Sequence, residues 1–176
     1  MRSEEVMATT NRPPQGSQLD MSGLDGTVGF LLKRAQLAVS RDISRAFADF
    51  DITAVQYSVL TVVHRNPGIA QGDVAAALEV ERPRMVPVLD KLEQRGLAVR
   101  RPDPADARSR RIQLTPRGSG LLDELTSRFS TFEQRVGDLL GEADRARLLS
   151  LLRLLADRCG SEQAWEELDA AAAGDR

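Results

Sequence analysis

The sequence predicts a mainly helical protein with one small β-hairpin, in a winged helix-turn-helix arrangement with long N- and C-terminal helices. The hairpin is indicated by residues 96–115, where two short apolar runs flank a loop of Pro, Asp and Arg. The helix directly before it is indicated by apolar residues that share one helical face, Met85, Val88, Leu89 and Leu92. A helix followed at once by a basic hairpin is typical of winged helices that read DNA.

The chain outside the hairpin divides into a tail, a domain and an extension. Residues 1–26 are rich in Ser, Thr, Gly, Pro and Gln and lack periodic apolar residues, so we expect a mobile tail. From there a first helix is predicted to run to about Phe50. We expect one winged helix-turn-helix domain over residues 27–160, with its DNA-binding lobe at about residues 53–115. Residues 161–176 form a C-terminal extension.

Local start and stop signals place the helices of the DNA-binding lobe. Thr53 and Gln56 have the spacing of a capping box, so a helix is expected to begin there. The Asn-Pro-Gly sequence of residues 66–68 ends that helix. The Ala-rich run of residues 72–78 is predicted to form the first half of a helix-turn-helix, with the helix of residues 83–95 as its second half.

Two long helices are predicted after the hairpin. Thr115 and Pro116 have the residue types of an N-cap and a first helical position, and Gly141 ends the helix that they begin. The final helix, at about residues 142–159, carries leucines on too many faces to be buried against one core. We therefore expect a homodimer that covers the second face; the alternative is a helix internal to one chain. The leucines are Leu148, Leu149, Leu151, Leu152, Leu154 and Leu155.

Composition limits the class of protein. A chain of 176 residues has room for one domain with a substantial core. Its apolar runs fall short of the roughly 18 residues that span a bilayer, and residues 1–25 lack the apolar stretch of a secretion signal. We therefore expect a cytoplasmic protein with no membrane partner. The single cysteine, Cys159, cannot form an internal disulfide, which agrees with a reducing compartment and excludes a cysteine-rich metal site.

The net charge of −2 hides a strong separation of charge along the chain. Residues 95–117 hold seven arginines against two aspartates, whereas residues 120–176 hold seven basic and twelve acidic side chains. A local positive field can bind phosphate even when the whole protein is slightly acidic. The charge pattern is therefore compatible with a nucleic-acid partner.

The hairpin also carries a family resemblance. Residues 103–108 read Asp-Pro-Ala-Asp-Ala-Arg, and residues 110–118 read Arg-Arg-Ile-Gln-Leu-Thr-Pro-Arg-Gly. This pattern resembles the wing of the MarR family of transcription regulators, and a looser resemblance covers about residues 28–158. The resemblance implies a dimeric repressor that binds double-stranded DNA at an inverted repeat and is released by a small ligand. It also implies that Arg108 enters the minor groove and that Asp106 holds the wing arginines in place.

The predicted recognition helix and wing supply the candidate DNA contacts. Arg84 is the candidate base reader, because arginine bound to guanine is the commonest specific contact in the major groove. Arg82 and Lys91 are candidate phosphate partners. The alternative for the wing is a charged loop that is merely solvated. The full candidate set is Arg82, Arg84, Val86, Pro87, Lys91, Asp106, Arg108, Arg110 and Arg111.

Two prolines in the recognition helix depart from the family pattern. Pro83 suits a first helical turn, whereas Pro87 removes an intrahelical hydrogen bond and should bend the helix. Together with Val86 they form an apolar strip that could pack on thymine methyl groups. The alternative is that both prolines only shape the start of the helix.

The resemblance also implies an effector site, because many family members bind small aromatic or phenolic anions between the dimer core and each DNA-binding head. An aromatic carboxylate or its thioester is therefore the expected effector. Tyr57 and His64 share a predicted helical face with Leu60 and could line such a cleft, while Arg34 or Arg41 could meet a carboxylate. Each of these candidate side chains could instead be structural or solvated.

Catalysis has little support in the sequence. With His64 as the one histidine, no His-Cys or His-carboxylate spacing suits zinc, and neither a glycine-rich phosphate loop nor a nucleophile–histidine pair occurs. We therefore expect no enzyme, cofactor or metal. A winged helix that only docks on proteins is the alternative class, against which the arginine-dense wing argues. An oxidant is the alternative signal, although Cys159 lies far from the first helix, where peroxide-sensing relatives carry their cysteine.

Overall fold

The computed structural model describes residues 20–103 and 110–159. Most of the expected N-terminal tail, the C-terminal extension and the wing tip with Asp106 and Arg108 lie outside these residues. The chain divides into two compact units, with the boundary between Val39 and Ser40 inside the first helix. The packing described below belongs to the second unit unless the first is named.

The described chain is mainly helical, with three short strands. This composition and order confirm the winged helix-turn-helix expected from the sequence. The helices are α1 (Val28–Ala46), α2 (Ala54–Arg65), α3 (Gln71–Ala77), α4 (Arg82–Gln94), α5 (Pro116–Leu140) and α6 (Glu142–Cys159), with a 3-10 turn at Ala48–Phe50. The strands are β1 (Ile69–Ala70), β2 (Ala98–Pro102) and β3 (Arg110–Leu114).

The first helix ends at Ala46, earlier than the apolar spacing predicts. A 3-10 turn follows, and Asp51 adopts a left-handed conformation with φ 49° and ψ 47°. A left-handed residue cannot continue a right-handed helix, so the chain turns before α2. The Thr53 amide donates to Gln56 Oε1 at 2.9 Å and the Gln56 amide donates to Thr53 Oγ1 at 3.2 Å, which confirms the capping box.

The strands form one antiparallel sheet in the order β1-β3-β2. The hairpin of β2 and β3 is the expected stalk of the wing, and its register pairs Arg101 with Arg111. The sequence pattern does not predict β1, because two residues are too few to show alternation. β1 places Ile69 opposite Ile112 and so attaches the stalk to the segment between α2 and α3.

The core of the second unit takes one face from each helix of the DNA-binding lobe. Met85, Leu89 and Leu92 of α4 are fully buried, as their spacing predicts, whereas Val88 is only partly buried. Because this face is buried in the core, the opposite face of α4 is exposed to solvent. The other fully buried large side chains are Phe47, Val59, Leu60, Val63, Val74, Leu97, Ile112 and Leu125.

The start of α5 packs directly on the segment that follows α4. Thr115 Oγ1 accepts a hydrogen bond from the Gly118 amide at 3.0 Å and donates to the Gly96 carbonyl at 2.7 Å. A Cβ atom on Gly118 would stand 1.9 Å from the Leu97 carbonyl oxygen, so only glycine fits there. The end of the predicted recognition helix and the start of α5 therefore form one close-packed joint.

A tight turn connects α3 to α4. The Glu79 amide donates to the Ala76 carbonyl at 3.1 Å, and the Val80 amide donates to the Ala75 carbonyl at 2.9 Å. Glu79 is exposed and has a φ of 51°, in the left-handed region that side chains disfavour. The geometry of the turn is therefore imposed by its hydrogen bonds and by the packed helices on either side.

None of the helices within residues 20–103 and 110–159 is long and apolar enough to cross a membrane. Over the same residues, no three His, Cys, Asp or Glu side chains are grouped as ligands for a metal ion. Cys159 is exposed at the end of α6.

Candidate nucleic-acid interface

The exposed face of α4 carries the candidate major-groove residues. Arg82, Arg84 and Lys91 are exposed, while Met85 and Leu89 between them are buried. The Arg84 Nε atom lies 3.6 Å from Glu81 Oε2, and both side chains are largely exposed, so this pair is weak. The cationic ends of α4 are therefore free to meet an approaching anion.

The apolar strip of α4 is exposed as well. Pro83, Val86 and Pro87 all face solvent, and Val86 is 40% exposed. Pro87 lies inside α4, which continues to Gln94. The strip is therefore available for contact, and its recognition of methyl groups stays a prediction.

The wing stalk holds Arg110 and Arg111 in different environments. Arg110 is exposed at the start of β3. Arg111 is tied down, because its Nε lies 2.9 Å from Asp103 Oδ2 and its Nη1 donates to the Gly68 carbonyl at 2.9 Å. Asp103 is only 8% exposed. Arg111 thus joins both strands of the stalk to the turn before β1, although about half of its side chain still reaches solvent.

Asp103 is a site residue that was not predicted from the sequence, because the family resemblance implies that Asp106 holds the wing arginines. The signal lies in the strand register. Arg101 pairs with Arg111, so Asp103 stands two residues further along the same face, within diagonal reach of Arg111. Asp106 and Arg108 lie outside the described residues, and their roles stay predictions.

A second cluster connects the stalk to the recognition helix. On β2, Arg100 donates from Nε to Glu93 Oε2 at 2.9 Å and from Nη2 to the same oxygen at 2.7 Å. Its Nη2 also lies 2.5 Å from Asp90 Oδ1, and its backbone amide donates to Glu93 Oε1 at 3.1 Å. Hydrogen bonds from the Arg100 side chain hold the pKa of Glu93 below its usual value. In the sequence, Arg100 is visible only as one of the seven arginines of this stretch.

The C-terminal end of α4 is bound to the turn between α1 and α2. Arg95 donates from Nη2 to the Phe50 carbonyl at 2.8 Å and from Nη1 to the Asp51 carbonyl. The guanidinium of Arg128, on α5, lies 6.0 Å from the centre of the Phe50 ring. Arg95, at the end of the recognition helix, therefore makes internal contacts with the turn between α1 and α2.

The candidate effector residues lie in contrasting surroundings. The Tyr57 ring is half-buried, with its centre 5.1 Å from the ring centres of both Phe47 and Phe129. Leu60 is fully buried and His64 is exposed, so this face of α2 runs from the core to solvent. The roles of Tyr57 and His64 toward an effector stay predictions.

The two candidate arginines of α1 belong to different units. Arg41 is exposed in the second unit. Arg34 belongs to the first unit, where its guanidinium lies 5.7 Å from the centre of the Phe30 ring. Their role toward a carboxylate stays a prediction.

A cleft of about 800 Å³ lies between α5 and α6. Its wall includes Phe129, Gly137, Glu133 and Arg145, and the last two form an ion pair of 2.6 Å across it. The ring centre of Phe129 is also 5.1 Å from that of Tyr57. The cleft therefore adjoins the aromatic cluster, and the sequence pattern does not predict it.

Comparisons with known proteins agree with this geometry. The profile of the MarR family matches residues 50–109. A candidate transcriptional regulatory protein for the hcr operon of Thauera aromatica is 32% identical over 140 residues, which cover 79% of this chain and 84% of that protein.

Solved structures of the transcriptional repressor CouR are similar over most of the chain. CouR bound to a 23-mer DNA duplex is 40% identical, with a TM-score of 0.76, and the match covers 80% of this chain and 99% of that one. CouR bound to p-coumaroyl-CoA is 38% identical with a TM-score of 0.74, covering 79% and 98%. The present chain belongs to the MarR family of winged-helix transcription regulators.

Proposed function

We propose that this protein is a sequence-specific DNA-binding repressor. It acts as a homodimer on an inverted-repeat operator and is released by a small aromatic or phenolic anion or its thioester. The observation that carries the DNA-binding part is the exposed face of α4, where Arg82, Arg84 and Lys91 stand outside a fully buried apolar face. A helix presented in this way fits the major groove, where side chains reach base edges.

The surface of α6 supports the homodimer. Leu148, Leu151, Leu152 and Leu154 are between 36% and 53% exposed, and none of the residues of α6 is buried. A second copy of the chain would cover these leucines, and a two-fold dimer presents two recognition helices to two half-sites about one helical turn apart. Sedimentation of a stable monomer that binds the full operator with undiminished affinity would contradict this part of the proposal.

The effector class is supported by similarity to CouR, a structure of which is bound to p-coumaroyl-CoA, the thioester of a phenolic acid. The half-buried Tyr57 ring and the cleft beside Phe129 offer aromatic surface for such a ligand. If ligand and DNA favour different states of the dimer, each weakens the binding of the other by the same factor. A thermal-shift panel of aromatic carboxylates and their CoA thioesters, repeated with DNA bound, measures that factor.

The decisive test of DNA recognition is fluorescence anisotropy with the DNA upstream of the protein's own gene. A scrambled duplex of equal length is the reference. The R84A variant should lose about 1–3 kcal/mol of preference for the operator over the scrambled duplex. The R135A variant removes the same charge from the exposed side of α5 and should leave that preference unchanged. Equal affinity of the parent protein for both duplexes would favour a protein-docking module.

A further inference from the structure

The Arg100 cluster joins the two elements that a winged helix uses to read DNA. Arg100 lies on β2, which leads to the wing, and both of its carboxylate partners, Asp90 and Glu93, lie on α4. The two carboxylates are three residues apart and therefore stand on one face of the helix. One guanidinium thus bonds two points on α4, and the Arg100 backbone amide adds a third bond to Glu93.

The neighbouring Arg101 differs from Arg100 in the direction and exposure of its side chain. Successive side chains on a strand point to opposite faces, so Arg100 turns toward α4 while Arg101 faces away. The Arg100 side chain is 22% exposed, whereas Arg101 is exposed to solvent. Two adjacent arginines in the same basic stretch therefore have different surroundings.

The chemistry of the cluster favours a holding role for Arg100. A guanidinium presents several N–H donors in a rigid plane, so it can bind Glu93 through two nitrogen atoms and Asp90 at the same time. Two carboxylates more than balance its single charge. Little of that charge remains to attract a phosphate, and releasing it would leave Asp90 and Glu93 without their cation.

We propose that Arg100 is a positioning residue for DNA reading, which fixes α4 relative to β2 and does not itself bind phosphate. In this way it sets the distance and angle between the helix that enters the major groove and the wing beside it. The proposal rests on the proposed DNA-binding function. A positioning role and a phosphate-binding role for Arg100 predict different effects of substitution on the salt dependence of DNA binding, so experiment can separate them.

The first test compares R100Q with its neighbour R101Q by anisotropy at several salt concentrations, well below the unfolding temperature of each variant. R101Q should weaken operator and scrambled DNA alike and reduce the slope of log K against log salt by about one. R100Q should lose about tenfold or more in operator affinity, as expected when charge-assisted hydrogen bonds are removed, with an unchanged slope. R100K keeps the charge but lacks the planar fork, so it should restore only part of the loss.

The second test uses E93Q, which removes a negative charge near the DNA. Simple electrostatics predicts tighter binding by this variant, whereas loss of positioning predicts weaker operator binding. Weaker operator binding with unchanged affinity for scrambled DNA supports the proposal. A reduced salt slope for R100Q, or operator binding by E93Q that equals or exceeds that of the parent, overturns it.

Hydrogen exchange of the DNA-free protein separates this proposal from the proposed function. In E93A, which removes the Oε1 atom that accepts this bond, the Arg100 amide should exchange faster, while amides of the core helix α2 keep their protection. If the parent protein does not prefer its operator, the proposed function fails, and this comparison still decides whether the cluster holds β2 on α4. Unchanged exchange of the Arg100 amide in E93A would show that Glu93 does not hold β2 on α4, and it would refute the proposal.

Discussion

The joint between α4 and α5 allows a sharp test through a single methyl group. Replacing Gly118 by alanine would place a Cβ 1.9 Å from the Leu97 carbonyl oxygen and 2.9 Å from the carbonyl carbon. Both atoms are backbone, so no side chain can rotate away to relieve the contact. Either α5 moves off the segment after α4, or the Thr115 bonds to Gly96 and Gly118 break.

The cost follows from the balance of two effects. Overpacking in a close-packed site typically costs about 1–3 kcal/mol and occasionally more, and a contact this short with backbone belongs at the upper end. Alanine is a better helix former than glycine by about 1 kcal/mol, which offsets part of that cost. We therefore expect G118A to lower the free energy of unfolding by about 2–3 kcal/mol, and to weaken operator binding because the end of α4 is displaced.

Gly120 is the matched control. It lies two residues further along α5, and a Cβ there would meet nothing within 4 Å. G120A should therefore leave the free energy of unfolding unchanged or raise it by up to about 1 kcal/mol. Urea unfolding followed by circular dichroism, at one fixed protein concentration, compares the two variants. If G118A and G120A unfold at the same urea concentration, the close-packed joint does not exist in solution.

Three further predictions concern the DNA-binding lobe. Because the pKa of Glu93 is lowered, the ionised Glu93 stabilises the folded protein above the pKa of Glu93 in the unfolded chain, and this stabilisation is lost as the pH falls through the lower pKa of the folded state. The free energy of unfolding, measured from neutral to acid pH, should therefore fall less steeply in E93Q than in the parent protein. Parallel curves would contradict this prediction. R108A should lose about 1–3 kcal/mol of operator affinity and reduce the salt slope by about one, and an unchanged affinity at every salt concentration would leave the wing as a solvated loop. If Pro87 reads thymine methyl groups, P87A should weaken binding to a thymine operator but not to one in which the contacted thymines are replaced by uracil. If the ratio of thymine-operator to uracil-operator affinity is the same in parent and variant, the effect of Pro87 is confined to the backbone.

Local signals predicted the order and most boundaries of the helices. The capping box at Thr53 and Gln56, and the Thr115 cap of α5, depend on residues three apart in the sequence, so their pattern can be read directly. The early end of α1 could not be read in this way. The apolar spacing continues through Phe47, while the left-handed Asp51 is held by contacts with Arg95 from the far end of α4.

The candidate site was less predictable than the fold for the same reason. The exposed residues of α4 follow from the burial of the opposite face, which is a periodic pattern. The bonds of Arg111 to Gly68 and of Arg95 to Phe50 join residues 43 and 45 positions apart. A sequence shows that these arginines are charged, but only the folded chain shows that they bind carbonyl groups in distant turns.

The turn between α3 and α4 has a consequence for engineering the protein. Glu79 bears a conformation that costs a residue with a side chain about 1–2 kcal/mol, and its own side chain is exposed. Glycine at this position would remove that cost, and the greater freedom of glycine in the unfolded chain would offset part of the gain. Glycine at position 79 is therefore expected to increase the free energy of unfolding without any change in the buried core. The E79G substitution would offset destabilising changes on the exposed face of α4, where substitutions that alter DNA specificity would be made.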